Sequence, residues 1–232
     1  AFRDMYQGQL YFTLDHFRES KLSILDVFPR TIFVSFISVI TSSVIGLILE
    51  YYAFIRNYKS AKAMDFIATM PYIVPGTFFG IGYILAFNKT PLELTGTLLI
   101  VILNVTFRQL PFASKIGYST LSQINKDTIN SVKDLGGHNF YVIKDIIFPL
   151  SKSSLYISFV NGFTSTMTTI GSIIFLVYPQ QKLATMVMFD VIESGKYGVG
   201  SVIAFLIILT CLIVNGLYYF LLSRKGKAKN VS

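Results

Sequence analysis

The chain has 232 residues, of which 53% are hydrophobic and only 14% are charged. About a quarter of the residues of a soluble domain are usually charged, so this composition excludes an ordinary soluble enzyme and a disordered chain. The single cysteine, Cys211, excludes an intramolecular disulfide framework. Uncharged runs of about 20 residues, the length that crosses roughly 30 Å of hydrocarbon, predict an all-α integral membrane protein.

Five apolar runs follow one another along the chain, and we predict that each contains one transmembrane span. They are 31–49, 66–88, 94–107, 153–181 and 197–222. The second run contains Pro71, Pro75 and several glycines, so we expect a kinked helix that packs closely through its glycines. The third run is the shortest; it ends before Arg108, with Leu110–Ser114 as the alternative extension at the membrane interface. The fourth run is long enough for a span plus a re-entrant or interfacial end.

Basic residues are divided unevenly between the two sides that five spans define. Residues 50–65, 108–152 and 223–232 carry thirteen basic and five acidic residues, whereas the loops on the other side carry seven of each. The positive-inside rule therefore predicts an extracytoplasmic segment 1–30, a transmembrane domain 31–222 and a basic cytoplasmic tail 223–232, with the N-terminus outside and the C-terminus inside. This topology accounts for the net charge of +8 without a nucleic-acid partner.

The segment 108–152 is the one long polar stretch of the chain. Its apolar residues Ile129, Val132 and Leu135 recur every three positions, which predicts short amphipathic helices. We expect Gly136 to permit either a tight turn between two of these helices or close approach of a partner, and Pro149 to end the second helix. Such a hairpin can fill a groove on a soluble partner, although a loop that lies on the membrane surface has the same pattern.

The spacing within this segment resembles the EAA loop in the permease subunits of bacterial ABC importers. That loop reads Glu-Ala-Ala, three residues, glycine, nine residues, isoleucine, any residue, leucine and proline, and Gly136, Ile146 and Pro149 match it in register. Phe148 stands in place of the leucine. The resemblance implies a coupling loop, 115–152, that docks on a cytoplasmic ATPase dimer. The docking positions, of which the first three replace Glu-Ala-Ala, are Asn130, Ser131, Val132, Gly136, Ile146 and Pro149.

The resemblance extends over nearly the whole chain. PYIVPGTFFGIGYILAFN from Pro71, RQLP from Arg108 and TMTTIGSIIFLVYP from Thr166 are similar to the C-terminal half of ferric-iron ABC permeases. This family implies a type I ABC importer permease fold in the bacterial cytoplasmic membrane, an extracytoplasmic substrate-binding protein, and a second permease half, fused or separate. It also implies that the chain is a piece of a longer polypeptide and that its substrate is ferric iron. Permeases for 2-aminoethylphosphonate, polyamines or other small solutes share much of the pattern.

Nothing in the sequence indicates catalysis within the chain. The phosphate-binding pattern GxxxxGK[ST] is absent, so ATP and Mg²⁺ are expected on the separate ATPase and no cofactor is expected here. His16 and His138 are far apart in sequence, and neither belongs to a ligand-spaced cluster, so we expect no metal site and no nucleophile–base pair. An ATP-independent secondary transporter or channel, and a membrane scaffold that transports nothing, are the alternatives of a different class.

Polar residues inside the predicted spans are candidates for the translocation pathway because each needs a partner or water. Hydrogen bonding between helices explains each of them equally well, but the group near residue 164 lies where the resemblance places a pore-lining helix. The candidates are Asn104, Asn161, Thr164, Ser165, Thr168 and Thr169. No predicted span has a charged residue in its middle, which argues against a proton-coupled mechanism.

Overall fold

The structure is a computed structural model that describes residues 3–6, 9–134 and 136–227. Within them, every regular element is helical except an antiparallel hairpin of β1 (Arg3–Tyr6) and β2 (Gln9–Phe12). Apart from this hairpin, the prediction of an all-α membrane protein is confirmed. Leu135, the last residue of the predicted amphipathic spacing, and residues 228–232 of the predicted basic tail lie outside the described residues.

The helical elements follow one another with short connections. The α-helices are α1 (Asp15–Leu25), α2 (Val27–Glu50), α3 (Lys59–Thr69), α4 (Gly76–Phe87), α5 (Leu98–Leu121), α6 (Lys126–Asp134), α7 (Asn139–Tyr141), α8 (Phe148–Leu150), α9 (Lys152–Met167), α10 (Ala184–Glu193) and α11 (Tyr197–Lys227). Two π-helical stretches, Tyr51–Ile55 and Val142–Ile147, extend α2 and join α7 to α8. Two 3₁₀ turns are Met70–Tyr72 and Pro179–Gln181.

Three helices of the described chain are long and apolar enough to cross a membrane: Val27–Ile55, Leu98–Leu121 and Tyr197–Phe220. The pair α3–α4 makes a fourth if its halves form one span, but they meet at 118° instead of forming a kinked helix. The run 153–181, predicted as a span plus a re-entrant or interfacial end, is likewise divided. It forms the 16-residue α9 and then turns before α10, and 16 residues rise only about 24 Å, less than the hydrocarbon thickness.

The central pair of helices, α2 and α5, runs in the same direction. Ser38 Oγ of α2 donates to the Ile102 carbonyl of α5 (3.3 Å), and three turns further along both helices the Ser114 hydroxyl contacts Glu50. A Cβ on Gly46 would lie 2.7 Å from the backbone of α5, so the helices touch through their main chains. Parallel neighbours need a return segment between them, and α3–α4 is that segment if its two halves form one span.

The helix α9 runs opposite to α2, and α11 runs opposite to α9. The hydroxyls of Ser43 in α2 and Ser158 in α9 lie 2.8 Å apart, whereas the N-terminal part of α2 contacts the segment that follows α9, where Thr31 Oγ1 accepts from the Ala184 N–H (2.9 Å). The directions of α2, α5, α9 and α11 therefore agree with the five-run prediction, although neither α9 nor either half of the bent pair α3–α4 is long enough to count as a membrane-crossing helix by itself.

The break between α3 and α4 contains both prolines of the second apolar run. Pro71 lies in the 3₁₀ turn, and Pro75 precedes the first residue of α4. A Cβ on Gly80 would overlap the Ser172 carbonyl oxygen, so the predicted close packing through glycines is confirmed at this position. At Gly82 a Cβ would meet no atom within 4 Å.

The third span does not end before Arg108, and it continues past the alternative extension Leu110–Ser114. Helix α5 begins at Leu98 and ends at Leu121, with Arg108 and Pro111 inside it. Residues 115–121 of the predicted cytoplasmic loop are therefore its last two turns. A proline inside a helix removes one hydrogen bond, and membrane helices tolerate this loss where neighbouring helices pack against the site. Pro111 is buried.

Candidate functional site

A cavity of about 190 Å³ opens beside the middle of α5. Its walls come from three places in the fold: the α3–α4 break, α5 and the exposed face of α9. The lining residues are Pro71, Tyr72, Arg108, Gln109, Phe112, Asn161 and Ser165. The bent pair and the close α2–α5 packing bring these segments together, so the site depends on long-range contacts.

Arg108 places a positive charge inside a membrane-spanning helix. Its Nη1 donates to the carbonyl oxygens of Pro71 (2.6 Å) and Val74 (2.7 Å). Both carbonyls lie where the helical hydrogen-bond ladder is interrupted between α3 and α4, and the guanidinium satisfies them. This pairing explains how α5 continues through Arg108, and it corrects the expectation that no span carries a charge in its middle.

Gln109, the neighbour of Arg108 in α5, connects α5 to α9 by hydrogen bonds. Its Nε2 donates to the Gly162 carbonyl (2.7 Å) and to the hydroxyl of Thr166, which itself donates to the Gly162 carbonyl (2.8 Å). All three residues are buried. Because this network fixes the rotation of α9, it determines which side chains of the helix face the cavity.

The predicted pathway residues of α9 divide between two faces. Asn161 and Ser165 line the cavity, and Thr168 is exposed on the same side. Thr164 instead turns toward α11, where its Oγ1 accepts from Asn215 Nδ2 (3.1 Å). Thr164 therefore acts as an interhelical packing residue in this structure.

The other two predicted pathway residues lie away from the lining. Thr169 is half-buried beyond the C-terminal end of α9, and its N–H donates to the Thr166 carbonyl (3.2 Å). Asn104 is fully buried in α5, one turn before Arg108, and neither amide atom has a partner among the described residues.

A second polar cluster lies between α2, α3 and α5, near the ends of α2 and α5. Glu50, only 3% exposed, and Asp65 both contact the hydroxyl of Ser114, and the Ser114–Asp65 distance is 2.7 Å. Lys115 Nζ lies 3.8 Å from Asp65. The sequence predicts that Glu50 lies in the loop 50–65, but Glu50 is the last residue of α2 and the π-helical stretch Tyr51–Ile55 continues the helix. The connection to α3 therefore consists only of residues 56–58.

The segment predicted to be the coupling loop forms a helical hairpin whose turn is at Gly136. Gly136 has φ +80°, and the Gly137 N–H donates to the Val132 carbonyl (2.8 Å). This is the Schellman arrangement, in which a left-handed residue closes the C-terminal end of a helix. The tight turn predicted at Gly136 is confirmed.

One side of the hairpin packs on the ends of α2 and α5. The buried cluster there comprises Leu47, Tyr51, Leu121, Ile129, Val142 and Ile147. Tyr51 also donates from its hydroxyl to Asn139 Oδ1 (3.1 Å). The opposite side carries an exposed aromatic pair, Phe140 at 67% and Tyr141 at 50%, which the sequence did not single out.

The predicted docking positions lie on different parts of the hairpin. Asn130 and Ser131 are exposed on α6, and Pro149 is exposed in α8. Val132 and Ile146 are half-buried against the hairpin core. These exposed positions and the aromatic pair remain accessible to solvent within the described part of this chain.

Metal-binding side chains do not cluster in the described residues. No group of three or more His, Cys, Asp or Glu side chains there is arranged to hold a metal ion. Cys211 is buried in α11, away from the cavity lining. The described residues that line the cavity include no His, Cys, Asp or Glu.

Comparison with known proteins gives the family. Residues 42–227 match the family described as binding-protein-dependent transport system inner membrane component. The ferric transport system permease protein FbpB of Actinobacillus pleuropneumoniae is 31% identical over 75% of this chain, and the chain spans only 25% of that relative's length. PhnV of Salmonella paratyphi A, a permease protein named for 2-aminoethylphosphonate transport, is 23% identical over 69% of this chain and 61% of its own length.

A solved structure shares the fold. One chain of a bacterial alginate ABC transporter, determined with an alginate pentasaccharide-bound periplasmic protein, superimposes with a TM-score of 0.71 at 15% identity over 90% of this chain and 82% of that chain. The family match covers most of the sequence, and the superposition covers 90% of this chain. The chain therefore belongs to the family of inner membrane components of binding-protein-dependent transport systems, and it has the type I ABC importer permease fold.

Proposed function

We propose that this chain is part of the permease of an ATP-driven ABC importer that moves ferric iron across the bacterial cytoplasmic membrane. The observation that supports ferric iron as the substrate is the 31% identity to a ferric permease over three quarters of the chain. The proposal makes the chain a translocation subunit without catalytic residues of its own. ATP and Mg²⁺ then belong to a separate cytoplasmic ATPase dimer.

The hairpin supports the ATP-driven part of the proposal. Its exposed face, with Asn130, Ser131 and the aromatic pair, suits the groove of a soluble partner. Its buried face joins the ends of α2 and α5. A movement of the ATPase would therefore pass directly to the two central helices, and α5 carries Arg108 at the cavity.

The remaining partners complete the pathway. An extracytoplasmic substrate-binding protein would deliver the solute, and a second permease half, fused or separate, would close the pathway opposite α9. The exposed side of α9 with Asn161, Ser165 and Thr168 is polar, which fits a pathway wall better than a lipid contact. The transporter would alternate between outward-facing and inward-facing states.

A second candidate substrate is 2-aminoethylphosphonate. The similarity to PhnV at 23% identity over 69% of the chain favours it, and Arg108 in the cavity is chemically compatible with a phosphonate. Polyamines or other small solutes are the further options within the same class. A secondary transporter or channel, which needs no ATPase, is the alternative of a different class.

Uptake by intact cells tests the substrate. We would measure uptake of radiolabelled ferric iron and of 2-aminoethylphosphonate in parallel, with the gene intact, deleted and restored. The proposal predicts that deletion abolishes iron uptake and that the wild-type gene restores it. If deletion abolishes only phosphonate uptake, the chain is still a permease component but iron is rejected as its substrate. If deletion changes neither uptake, both substrates are rejected.

A further inference from the structure

The cavity carries an unbalanced positive charge. Arg108 is its only charged lining residue, and no carboxylate is among the described residues that line it. Arg108 forms no ion pair with any described carboxylate. Its Nη1 contacts are backbone carbonyls, which satisfy hydrogen bonds but carry no net charge. The guanidinium therefore keeps its full charge beside the cavity.

Part of the guanidinium is still free to bind. Both hydrogens of Nη1 are used by the carbonyls of Pro71 and Val74. The Nη2 and Nε groups, with three further hydrogens, have no acceptor among the described residues. A guanidinium with an open edge binds oxyanions in a bidentate manner more readily than any other side chain.

The facing helix adds neutral donors. Asn161 and Ser165 lie one turn apart on the exposed side of α9, and neither side chain has a described hydrogen bond. Gln109 adds no free donor to this set, because its Nε2 already donates to the Gly162 carbonyl and the Thr166 hydroxyl. An amide N–H and a hydroxyl opposite a guanidinium form a donor set for the oxygens of one anion.

We propose that this cavity binds an oxyanion group of the transported solute, so that the solute crosses as an anion-bearing species and not as a bare cation. The inference rests on the proposed function and specifies its substrate class. The oxyanion would be either a ligand that accompanies ferric iron or the phosphonate group of an organic solute. Both sources present the same oxygens to Arg108, Asn161 and Ser165.

The competing substrate forms fit the cavity poorly. A bare ferric ion would meet a like charge and, among the described residues, no cluster of carboxylate, thiolate or imidazole ligands. A polyamine would meet the same repulsion from Arg108 without a carboxylate to pair with. Of these three substrate forms, an oxyanion is the one that both the positive charge of Arg108 and the free hydrogen-bond donors of the cavity can bind.

Charge substitution at Asn161 tests the proposal in the complete transporter with its ATPase and binding protein. Asn161→Asp changes charge at nearly constant shape and would neutralise Arg108. Asn88→Asp makes the same exchange at an exposed residue that does not line the cavity. We expect Asn161→Asp to lower solute uptake about tenfold or more, as loss of electrostatic focusing would, and Asn88→Asp to leave it unchanged. Uptake of Asn161→Asp at or above the wild-type level would overturn the proposal.

A second measurement does not depend on the solute. A cysteine at Asn161 or Asn88 is treated with an anionic and with a cationic methanethiosulfonate reagent, and the anionic-to-cationic rate ratio is compared between sites. We expect this ratio to be about tenfold higher at Asn161→Cys and inorganic phosphate to slow the anionic reaction there. Equal ratios at the two sites would overturn the proposal.

The two measurements distinguish a failure of the proposed function from a failure of the oxyanion-site proposal. If wild-type cells transport neither iron nor 2-aminoethylphosphonate, the proposed function fails, and the cysteine ratio still decides the oxyanion site. If iron uptake is lost in Asn161→Asp, the oxyanion accompanies iron. If only phosphonate uptake is lost, the phosphonate itself is the ligand.

Discussion

Replacement of Gly136 isolates the energetic contribution of the hairpin turn. The residue has φ +80°, and a Cβ there would meet no atom within 4 Å, so alanine introduces backbone strain without a steric clash. A left-handed conformation costs an ordinary L-residue roughly 1–2 kcal/mol. That penalty shifts the equilibrium between closed and open hairpin about fivefold to thirtyfold toward the open form. Asparagine tolerates this conformation better, so Gly136→Asn should cost less than Gly136→Ala.

Hydrogen–deuterium exchange of α6 measures this shift directly. We expect exchange in the peptide covering Lys126–Asp134 to accelerate by about fivefold to thirtyfold in Gly136→Ala, and by less in Gly136→Asn. Gly195, with φ +82° and equally open surroundings, is the matched control, and Gly195→Ala should leave α6 unchanged. Unchanged exchange of α6 in Gly136→Ala would refute the reasoning, because the left-handed turn would then not stabilise the hairpin.

Three further substitutions test the packing, the buried cluster and the docking surface. Gly80→Ala should lower the free energy of unfolding of the purified protein by about 1–3 kcal/mol, and with it the melting temperature, because its methyl overlaps a backbone carbonyl. Gly82→Ala should leave both unchanged, because a Cβ there meets no atom within 4 Å. Equal melting temperatures for the two variants would contradict the close contact at Gly80. Ser114→Ala should cost about 1–3 kcal/mol because two carboxyls lose their shared hydroxyl, and the exposed Ser119→Ala serves as the control. Asn130→Cys should crosslink to a cytoplasmic ATPase, and failure with every ATPase of the cell would count against docking through the hairpin.

The features that depend on local sequence were predictable. The runs 31–49 and 197–222 lie within α2 and α11 because unbroken apolar stretches of that length leave the chain few other choices. The turn at Gly136 was predictable because glycine after an amphipathic helix favours a left-handed C-terminal cap. In both cases the determining residues are neighbours in sequence.

Arg108 was misplaced because its partners are distant. A lone arginine after fourteen apolar residues resembles the end of a span, and the carbonyls that accept its hydrogen bonds lie 37 and 34 residues earlier in the chain. Those carbonyls are free only because Pro71 and Pro75 break the preceding helix. The two prolines in the sequence predict the break, but nothing in the sequence indicates which residue donates hydrogen bonds to its carbonyls.

The faces of α9 were equally unpredictable. Thr164 and Ser165 are adjacent polar residues, yet one contacts α11 and the other lines the cavity. The difference is a rotation of about 100° around the helix axis. Gln109 sets that rotation through its bond to Gly162, a contact between residues 53 apart. Composition alone identified polar residues in this helix but not the face on which each one lies.

The central claim, ATP-driven import of ferric iron, is tested most directly in proteoliposomes. The complete permease is reconstituted with its ATPase, and binding protein loaded with radiolabelled ferric iron is supplied on the opposite side of the membrane from ATP. The account predicts iron transport with ATP and none with a non-hydrolysable analogue. Equal iron transport under both conditions would contradict it and would indicate a secondary transporter or channel.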